Sequence, residues 1–292
     1  MDSEKCKVLL TVINEGSLSK AADVLGYTVS GISRSLMALE DECGFQLLFR
    51  DRHGVKLTTE CTELLPIFRE YEKVTDKLQD TIQTIKGLHL GKVSVGVVYV
   101  NHFRWIAKLM KMFQMEYPEI EVSIVQGNSS ELVSALTEHK LDFVIASKRK
   151  GDFDCIHLQQ VQMCACVAST HPLATSKVYP LKQFEIDKMI APYSETETDY
   201  AIALKENMIN PNIVHVTSDV YSAYSMVEAG LGVAFLNKLE PECWEGDVVL
   251  LPTEPIVNVD IEIMYLKNEI GPSARKFLDT VCHSIDSSMF GF

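Results

Sequence analysis

Apolar residues near the N-terminus of the chain recur at helical spacing. They stand at positions i, i+3, i+4 and i+7 of one short segment: Leu18, Ala21, Ala22 and Leu25. This spacing predicts a short helix with one buried face, with Ser17 as its N-cap and Gly26 as its C-terminal stop. A second helical pattern follows, and Thr28 is its predicted cap. Two helices joined by a tight turn that contains glycine form a helix-turn-helix.

The second of these helices has two unlike faces. Its apolar residues lie within about 80° of one another at roughly 100° per residue: Val29, Ile32, Leu36, Leu39 and Cys43. The other side carries Ser30, Arg34, Met37, Ala38 and Asp41, with Ser33 on the flank. Small and hydroxyl-bearing residues permit close approach, so this face fits the major groove of double-stranded DNA, where Arg34 can clamp a phosphate or a guanine. The alternative is an ordinary helical hairpin packed in a core.

Basic residues follow in the next segment. After Gly44 comes the apolar run 45–49, and four basic residues then surround the turn at Gly54: Arg50, Arg52, His53 and Lys56. A strand, a turn and a strand with a basic tip predict a wing on the phosphate backbone. The alternative is a solvated surface hairpin. The candidate DNA-binding residues are therefore Ser17, Thr28, Ser30, Ser33, Arg34, Arg50, Arg52 and Lys56.

A heptad repeat comes after the wing. One apolar series is Leu64, Tyr71, Leu78 and Ile85, and a second, three residues later, is Ile67, Val74, Thr81 and Leu88. A repeat of this kind predicts a helix over about 59–88 that pairs with a second copy. The candidate dimerisation residues are Leu64, Ile67, Tyr71, Val74, Leu78 and Ile85. Pro66 is expected to bend this helix or to mark its first turn. The alternative is a long helix packed on the protein's own core.

From residue 91 onward, predicted strands alternate with predicted helices. The strands are 92–99, 120–126, 141–147, 162–168, 188–191, 213–217, 232–236 and 259–267, and the helices are 103–116, 130–139, 198–207, 220–229 and 273–285. Such alternation predicts an α/β fold built from parallel βαβ units. We expect two lobes, with crossovers near 156–161 and near 261–267: lobe I comprises about 91–161 and 267–292, and lobe II about 162–266.

Ligands of open α/β sheets bind beyond the carboxyl ends of the strands. That rule selects segments 99–103, 127–130, 147–150, 193–199 and 217–221. The candidate effector-binding residues are Tyr99, Asn101, His102, Asn128, Ser129, Ser147, Lys148, Tyr193 and Ser218. Helix N-termini favour anions, and Lys148, Arg149 and His102 are nearby cations, so we favour a small carboxylate. The acidic loop 195–199 argues against it, and for each single residue a helix cap or a surface charge is the alternative role.

Composition and residue spacing argue against membrane proteins, exported proteins and enzymes. The chain has no apolar run of 18 residues and no basic-then-apolar leader, so we expect neither a membrane span nor export, and a cytoplasmic location. Its eight cysteines lack metal-ligand spacing, and no phosphate loop, nucleophile elbow or Ser/His/Asp spacing occurs. We therefore expect no metal, no cofactor and no enzyme. Cys164 and Cys166 lie on one face of a predicted strand, which is typical of buried reduced thiols.

The net charge of −13 is unevenly distributed. Residues 1–60 carry 7 Lys+Arg and 9 Asp+Glu, a net −2, whereas residues 91–292 carry 16 and 26, a net −10. The N-terminal region is thus not basic overall, and its affinity for DNA must come from the placement of a few cations. Two copies in a dimer would double them, which strengthens a salt-dependent interaction.

The N-terminal region resembles the LysR-type transcriptional regulators. The residues that carry the resemblance are Gly16, Ser17, Ala21, Ala22, Leu25, Ser33, Arg34, Leu39, Glu40, Gly44, Leu48, Phe49, Arg50, Leu57 and Thr58. Weaker landmarks follow: Tyr117-Pro118, Gly127, Leu141-Asp142, the run 171–174 and the run 229–233. The chain departs from the family pattern at Val29, often Gln, at Gly31, often Ala, and at Cys61, usually Gly.

The resemblance implies a winged helix-turn-helix over 1–58, a linker helix over 59–90 that pairs subunits, and an effector-binding domain over 91–292 like a periplasmic binding protein. It further implies a homodimer or tetramer, a contact with RNA polymerase, and, in some members, a peroxide-sensing cysteine pair. Two other classes remain to be weighed. A solute-binding transport protein leaves residues 1–58 unexplained, and an architectural DNA-binding protein needs no two-lobed domain.

Overall fold

The computed structural model describes residues 2–51, 54–87, 90–194, 197–239 and 244–286. The chain divides into two compact units. One contains residues 1–90 together with the short stretch 137–140, and the other contains the rest of the chain. Among the described helices, none has the length and apolarity needed to cross a membrane.

The first unit is a winged helix-turn-helix followed by a long helix. Its elements are α1 (Ser3–Glu15), α2 (Leu18–Leu25), α3 (Val29–Cys43), β1 (Leu48–Asp51), β2 (Gly54–Leu57) and α4 (Thr59–Ile85). The predicted caps are present: Ser17 accepts a hydrogen bond from Lys20, and Thr28 accepts one from Gly31. Gly26 ends α2 at φ 68°, where the left-handed region favours glycine. The helix-turn-helix prediction is confirmed.

The core of this unit joins α1, α2, α3, the wing and the start of α4. Its fully buried apolar side chains include Val8, Leu9, Val12, Ala21, Ile32, Leu36, Leu39, Leu47 and Cys61. Val29 was predicted on the buried face of α3, and that prediction is wrong because Val29 is 48% exposed. It is the first residue of α3 and so lies beyond the core that Ile32 and Leu36 contact.

Lobe I of the second unit contains two parallel βαβ units. Its elements are β3 (Gly91–Val97), α5 (Val100–Glu116), β4 (Ile120–Gln126), α6 (Ser129–Thr137), β5 (Phe143–Ser147), β12 (Asn258–Leu266) and α9 (Pro272–Asp286). Strand β3 pairs in parallel with β4 and β5, and β12 runs antiparallel to β5. The α/β prediction is confirmed. The core of the lobe includes Val95, Ile106, Phe113, Phe143 and Phe277.

Lobe II is a smaller α/β layer. Its elements are β6 (Phe153–Ala168), β7 (Tyr179–Pro180), a 3-10 helix (Leu181–Glu185), β8 (Met189–Pro192), α7 (Asp199–Glu206), β9 (Ile213–Thr217), α8 (Val220–Glu228), β10 (Ala234–Asn237) and β11 (Val248–Glu254). Strands β10 and β11 run antiparallel to β6, and β8 pairs in parallel with β9. Strand β11 had not been predicted.

The two lobes are connected differently from the prediction. Strand β6 is continuous: residues 153–162 pair with β12, and residues 163–168 pair with β10 and β11, so the first crossover lies within one strand. Strand β12 pairs with β5, which places residues 258–266 in lobe I. The predicted lobe II range of 162–266 therefore ends too late. Strand spacing along a chain cannot reveal which sheet a strand joins, because the partner's position decides this.

Candidate functional site

The outer face of α3 is polar and exposed. Ser30 and Arg34 face solvent, and the Arg34 Nε donates to the Ser30 carbonyl oxygen at 3.3 Å. The Thr28 and Ser30 hydroxyl oxygens lie 3.1 Å apart at the start of the helix. Lys56 is exposed on β2, and Arg52 lies outside the described residues. This surface presents hydroxyl groups and a guanidinium with little bulk around them, as contact with a DNA groove requires.

Arg50 was predicted to bind phosphate, but its guanidinium is directed onto its own domain. It donates to Glu40 Oε2 at 2.7 Å and to the Ser33 hydroxyl at 3.3 Å. The other Glu40 oxygen accepts the backbone N–H groups of Leu47 and Leu48, at 2.9 and 3.2 Å. The two residues therefore tie the wing to α3. Arg50 holds the DNA-binding elements in place, and the Ser33 hydroxyl is partly engaged by it.

Ser17 caps α2 and is half-buried, and a cation next to it had not been predicted. Lys20 is exposed in the first turn of α2, although a cation is unfavourable at the positive N-terminus of a helix. The first helix of a helix-turn-helix crosses the DNA backbone. Lys20 is therefore an exposed cation on the helix that would lie nearest the DNA backbone.

Helix α4 carries an uncovered apolar stripe. Ile67, Tyr71, Val74, Leu78 and Ile85 are all exposed, from 41% at Tyr71 to 81% at Ile85. Leu64 differs, because it packs against the winged-helix core. The helix begins at Thr59, so Pro66 lies inside it and does not mark its first turn.

A cavity of about 310 Å³ lies between the two lobes of the second unit. Lobe I contributes Val98, Tyr99, Val100, Gln126, Asn128, Ser129 and Arg149. Lobe II contributes Met163, Pro192, Tyr193, Thr198, Asp199, Tyr200, Asp219, Val220, Tyr221, Phe235 and Trp244. Aromatic rings dominate the lobe II side, and most polar groups surround the start of α7.

The nine predicted effector residues are only partly brought together. Tyr99, Asn128, Ser129 and Tyr193 line the cavity, and Ser147 adjoins it through hydrogen bonds to Tyr99 and Asp199. Four others are not among the lining residues: Asn101, His102, Lys148 and Ser218. Each of these four residues is close in sequence to a residue that lines or adjoins the cavity, but its own side chain does not line it.

The reasons for these four differ. Burial lowers the pKa of His102 to about 4, so the prediction that it is a cation is wrong; its Nε2 lies 3.0 Å from the Gln159 amide nitrogen. Lys148 pairs with Glu262 at 3.0 Å. Ser218 donates to the Asp219 carboxylate at 3.4 Å. Asn101 lies in the first turn of α5.

Among the residues that the structure describes, two buried polar atoms at the cavity have no hydrogen-bond partner: Asn128 Nδ2 and Thr198 Oγ1. Asn128 is 6% exposed and Thr198 is 5% exposed. The Asn128 Oδ1 is satisfied, since it accepts the Glu131 N–H at 2.9 Å. Thr198 precedes α7 yet makes no side-chain capping bond. An unpaired buried donor is costly, so both atoms indicate a place for a ligand.

Asp199, the first residue of α7, links the lobes. Its Oδ2 accepts the Tyr99 hydroxyl at 2.8 Å and the Ser147 hydroxyl at 2.7 Å, and its Oδ1 accepts the Arg149 guanidinium at 2.7 Å. Arg149 also donates to the Ser130 hydroxyl and to the Glu197 carbonyl, both at 3.1 Å. Both charged side chains are largely buried.

The charges at the cavity do not cancel. Among the described lining residues, Arg149 is the one cation, while Asp199 and Asp219 are anions, so the lining carries a net charge of −1. Hydrogen bonds from Ser222 lower the pKa of Asp219 and keep it ionised while it caps α8. Within the described ranges, no group of three potential metal ligands occurs.

Comparison with protein families decides the identity of the chain. Residues 3–62 match the model described as bacterial regulatory helix-turn-helix protein, lysR family, and residues 86–284 match the LysR substrate binding domain. The chain belongs to the LysR family. It is a DNA-binding transcriptional regulator with an effector-binding domain. Proteins of this family are regulators and not enzymes.

Relatives and solved structures agree with the LysR assignment. YvbU of Bacillus subtilis, an uncharacterised regulator, is 26% identical over 82% of this chain and 82% of its own. LrrA of Synechococcus elongatus, a probable regulator, is 26% identical over 96% of each chain. Among solved structures, a full-length OxyR variant from Pseudomonas aeruginosa has TM-score 0.73 at 17% identity, covering 98% of this chain and 94% of its own. The effector-binding domain of QuiR in complex with shikimate has TM-score 0.59 at 21% identity, covering 68% and 98%.

The cysteine pair of this LysR-type regulator, Cys164 and Cys166, lies in the interior of lobe II. Cys164 and Cys166 lie on β6 with buried, free thiols. Burial raises the pKa of both, that of Cys166 to about 12. Both thiols are therefore protonated at neutral pH, which disfavours attack on an oxidant.

Proposed function

We propose that this LysR-type regulator binds operator DNA in the cytoplasm as a homodimer or tetramer. The exposed face of α3 supports base contact by Ser30 and Arg34. The exposed position of Lys56 on β2 supports phosphate contact by the wing, and for Arg52 the same role rests on the sequence alone. The apolar stripe on α4 supports pairing of subunits, because five large side chains are left exposed there. A contact with RNA polymerase at the promoter is part of the same proposal.

We further propose that a small carboxylate binds in the cavity between the lobes. The observation that carries this proposal is the pair of unpartnered buried atoms, Asn128 Nδ2 and Thr198 Oγ1. The Asn128 amide can only donate from Nδ2, so its ligand must present an acceptor there, which a carboxylate oxygen supplies. The N-terminus of α7 also favours a negative group, since no side chain caps it.

The apolar part of the cavity indicates the character of the ligand beyond its carboxylate. Tyr193, Tyr221, Phe235 and Trp244 present rings, so the ligand's body is expected to be apolar and of modest size. The similar effector-binding domain of QuiR holds shikimate, which is a carboxylic acid. The proposal assigns binding and no reaction to this cavity.

A thermal-shift screen of small carboxylates on the full chain tests the proposal. A ligand that binds only the folded state raises the unfolding midpoint. Asn128→Ala should abolish the shift given by any hit, while Asn258→Ala should keep it, because the Asn258 amide bonds Gln160 at an exposed position. A hit that shifts Asn128→Ala as much as the parent chain would place the effector elsewhere. Operator footprinting with and without the hit then tests the link to DNA.

A further inference from the structure

We propose that Asp199 occupies the counter-ion position of the effector site, and that a carboxylate effector binds by displacing it. This inference rests on the function proposed above and specifies how its ligand class is recognised. Tyr99, Ser147 and Arg149 form a carboxylate-binding site on lobe I, and the chain's own side chain from lobe II fills it.

The geometry of the contact is that of carboxylate recognition. Three donors converge on the two Asp199 oxygens, at 2.7 to 2.8 Å. Charge-assisted hydrogen bonds of this length are about twice as strong as neutral ones. Within lobe I, Arg149 is held in this orientation by the Ser130 hydroxyl and the Lys148 carbonyl, both at 3.1 Å, so it keeps its position when the carboxylate is exchanged.

The charge of the lining requires an exchange. With Asp199 in place, the single cation of the described lining is neutralised and Asp219 adds a negative charge. A second carboxylate would enter a region of net negative charge, where repulsion between partly buried charges is strong. Once Asp199 moves out, Arg149 and two hydroxyl groups become available to the ligand. The unpartnered Asn128 and Thr198 atoms lie in the same cavity and can bond its remaining oxygens.

Displacement also has a structural consequence. Asp199 belongs to lobe II, while its three donors belong to lobe I. An effector that replaces Asp199 therefore breaks three of the polar contacts between the lobes at α7, and those of Ser130 and Arg149 with the Glu197 carbonyl remain. Effector binding and the position of α7 are thereby coupled.

The test removes the Asp199 carboxylate by mutation and supplies a free carboxylate in its place. Asp199→Ala removes a group the size of formate, so the full-length variant should bind formate at least tenfold more tightly than the parent chain. The readout is the unfolding midpoint against formate concentration, with chloride at equal ionic strength. Glu121→Ala is the matched control, since it vacates an exposed carboxylate beside Lys92 and should show no response to formate.

A second variant guards against misfolding. Asp199→Asn keeps the shape and removes the charge that attracts Arg149, so formate should displace the amide more easily than it displaces the parent carboxylate. Equal formate affinity in the parent chain and in every Asp199 variant that folds would overturn the proposal. These measurements use no DNA and no natural effector, so failure of operator binding or of the carboxylate screen remains a separate result.

Discussion

Two buried threonines, one in each unit, precede a helix and differ in how they are satisfied. Thr58 caps α4 by accepting the Cys61 N–H at 3.1 Å, and its hydroxyl donates to the Gln46 carbonyl at 3.0 Å. Thr198 precedes α7 and is buried to the same degree, yet its hydroxyl has no partner within the described ranges. The threonine of the winged-helix unit is thus satisfied internally, whereas that of the effector-binding unit is left open.

The difference fits the partners proposed for each unit. DNA and a second subunit are large and meet a surface, and the residues proposed to contact them are exposed: Arg34 and Lys56 for DNA, Leu78 for the partner helix. A small effector needs a cavity that surrounds it, so the groups that await it are buried. Five substitutions test this contrast, from the largest expected effect to the smallest.

Leu78→Asp places a charge in the exposed apolar stripe of α4. If the stripe pairs two subunits, burying that charge unpaired should cost several kcal/mol and open the dimer. Sedimentation of the full chain is the measurement. Gln79→Asp, one residue along on the same exposed helix, should leave the oligomer intact. A Leu78→Asp chain that sediments as the parent oligomer would move the interface away from α4.

Thr58→Val removes both a helix cap and a buried hydrogen bond. The loss of the cap, which leaves the Cys61 N–H without its partner, costs about 1 kcal/mol. The lost hydrogen bond to the Gln46 carbonyl brings the expected destabilisation of the first unit to about 2 kcal/mol. Urea unfolding gives the free energy, and hydrogen exchange over residues 59–65 localises it. Unchanged exchange there would show that another group takes over the cap.

Arg34→Ala should weaken specific operator binding by about 1–3 kcal/mol and leave the folding free energy nearly unchanged, because Arg34 is exposed. Lys56→Ala should instead weaken binding to all sequences and reduce the salt slope by about 1. Footprinting and salt titration distinguish the two outcomes. If both variants bind operator and random DNA as the parent does, α3 and the wing are not the DNA interface.

Thr198→Val should act in the opposite direction to Thr58→Val. Replacing an unpartnered buried hydroxyl by a methyl group removes a desolvation penalty, so the free energy of unfolding should rise by about 1 kcal/mol. The same change should weaken binding of a carboxylate effector. Urea unfolding and ligand titration are measured on one sample. A Thr198→Val chain that is less stable than the parent would mean that the hydroxyl has a partner in solution.

The winged-helix unit was largely predictable because its elements follow from contacts close in sequence. The cap at Ser17, the left-handed Gly26 and the cap at Thr28 bracket two helices within 30 residues. The positions of Val29 and Arg50 were not predicted. Helical spacing gives the direction of Val29 but not how far the core extends along α3. Nor can it show that Glu40 accepts the Arg50 guanidinium together with the N–H groups of Leu47 and Leu48.

The effector-binding unit was predictable in class but not in detail. Alternating strands and helices gave parallel βαβ units, yet β12 joins β5 across more than 100 residues of sequence. The same holds for the cavity. The strand-end rule selected the segments of Tyr99, Asn128 and Tyr193, which line the cavity. It also selected His102 and Lys148, which do not, because His102 is buried and Lys148 pairs with Glu262.

The sequence by itself determined the helix-turn-helix, the apolar stripe of α4 and the α/β class, since each depends on a local period that matches a backbone geometry. Only the tertiary structure decided that Arg50 braces the wing and that Asp199 reaches Tyr99, Ser147 and Arg149. Those pairings join residues 10 to 100 positions apart. A side chain's partner over such distances depends on how whole elements pack, and no local pattern of residues records it.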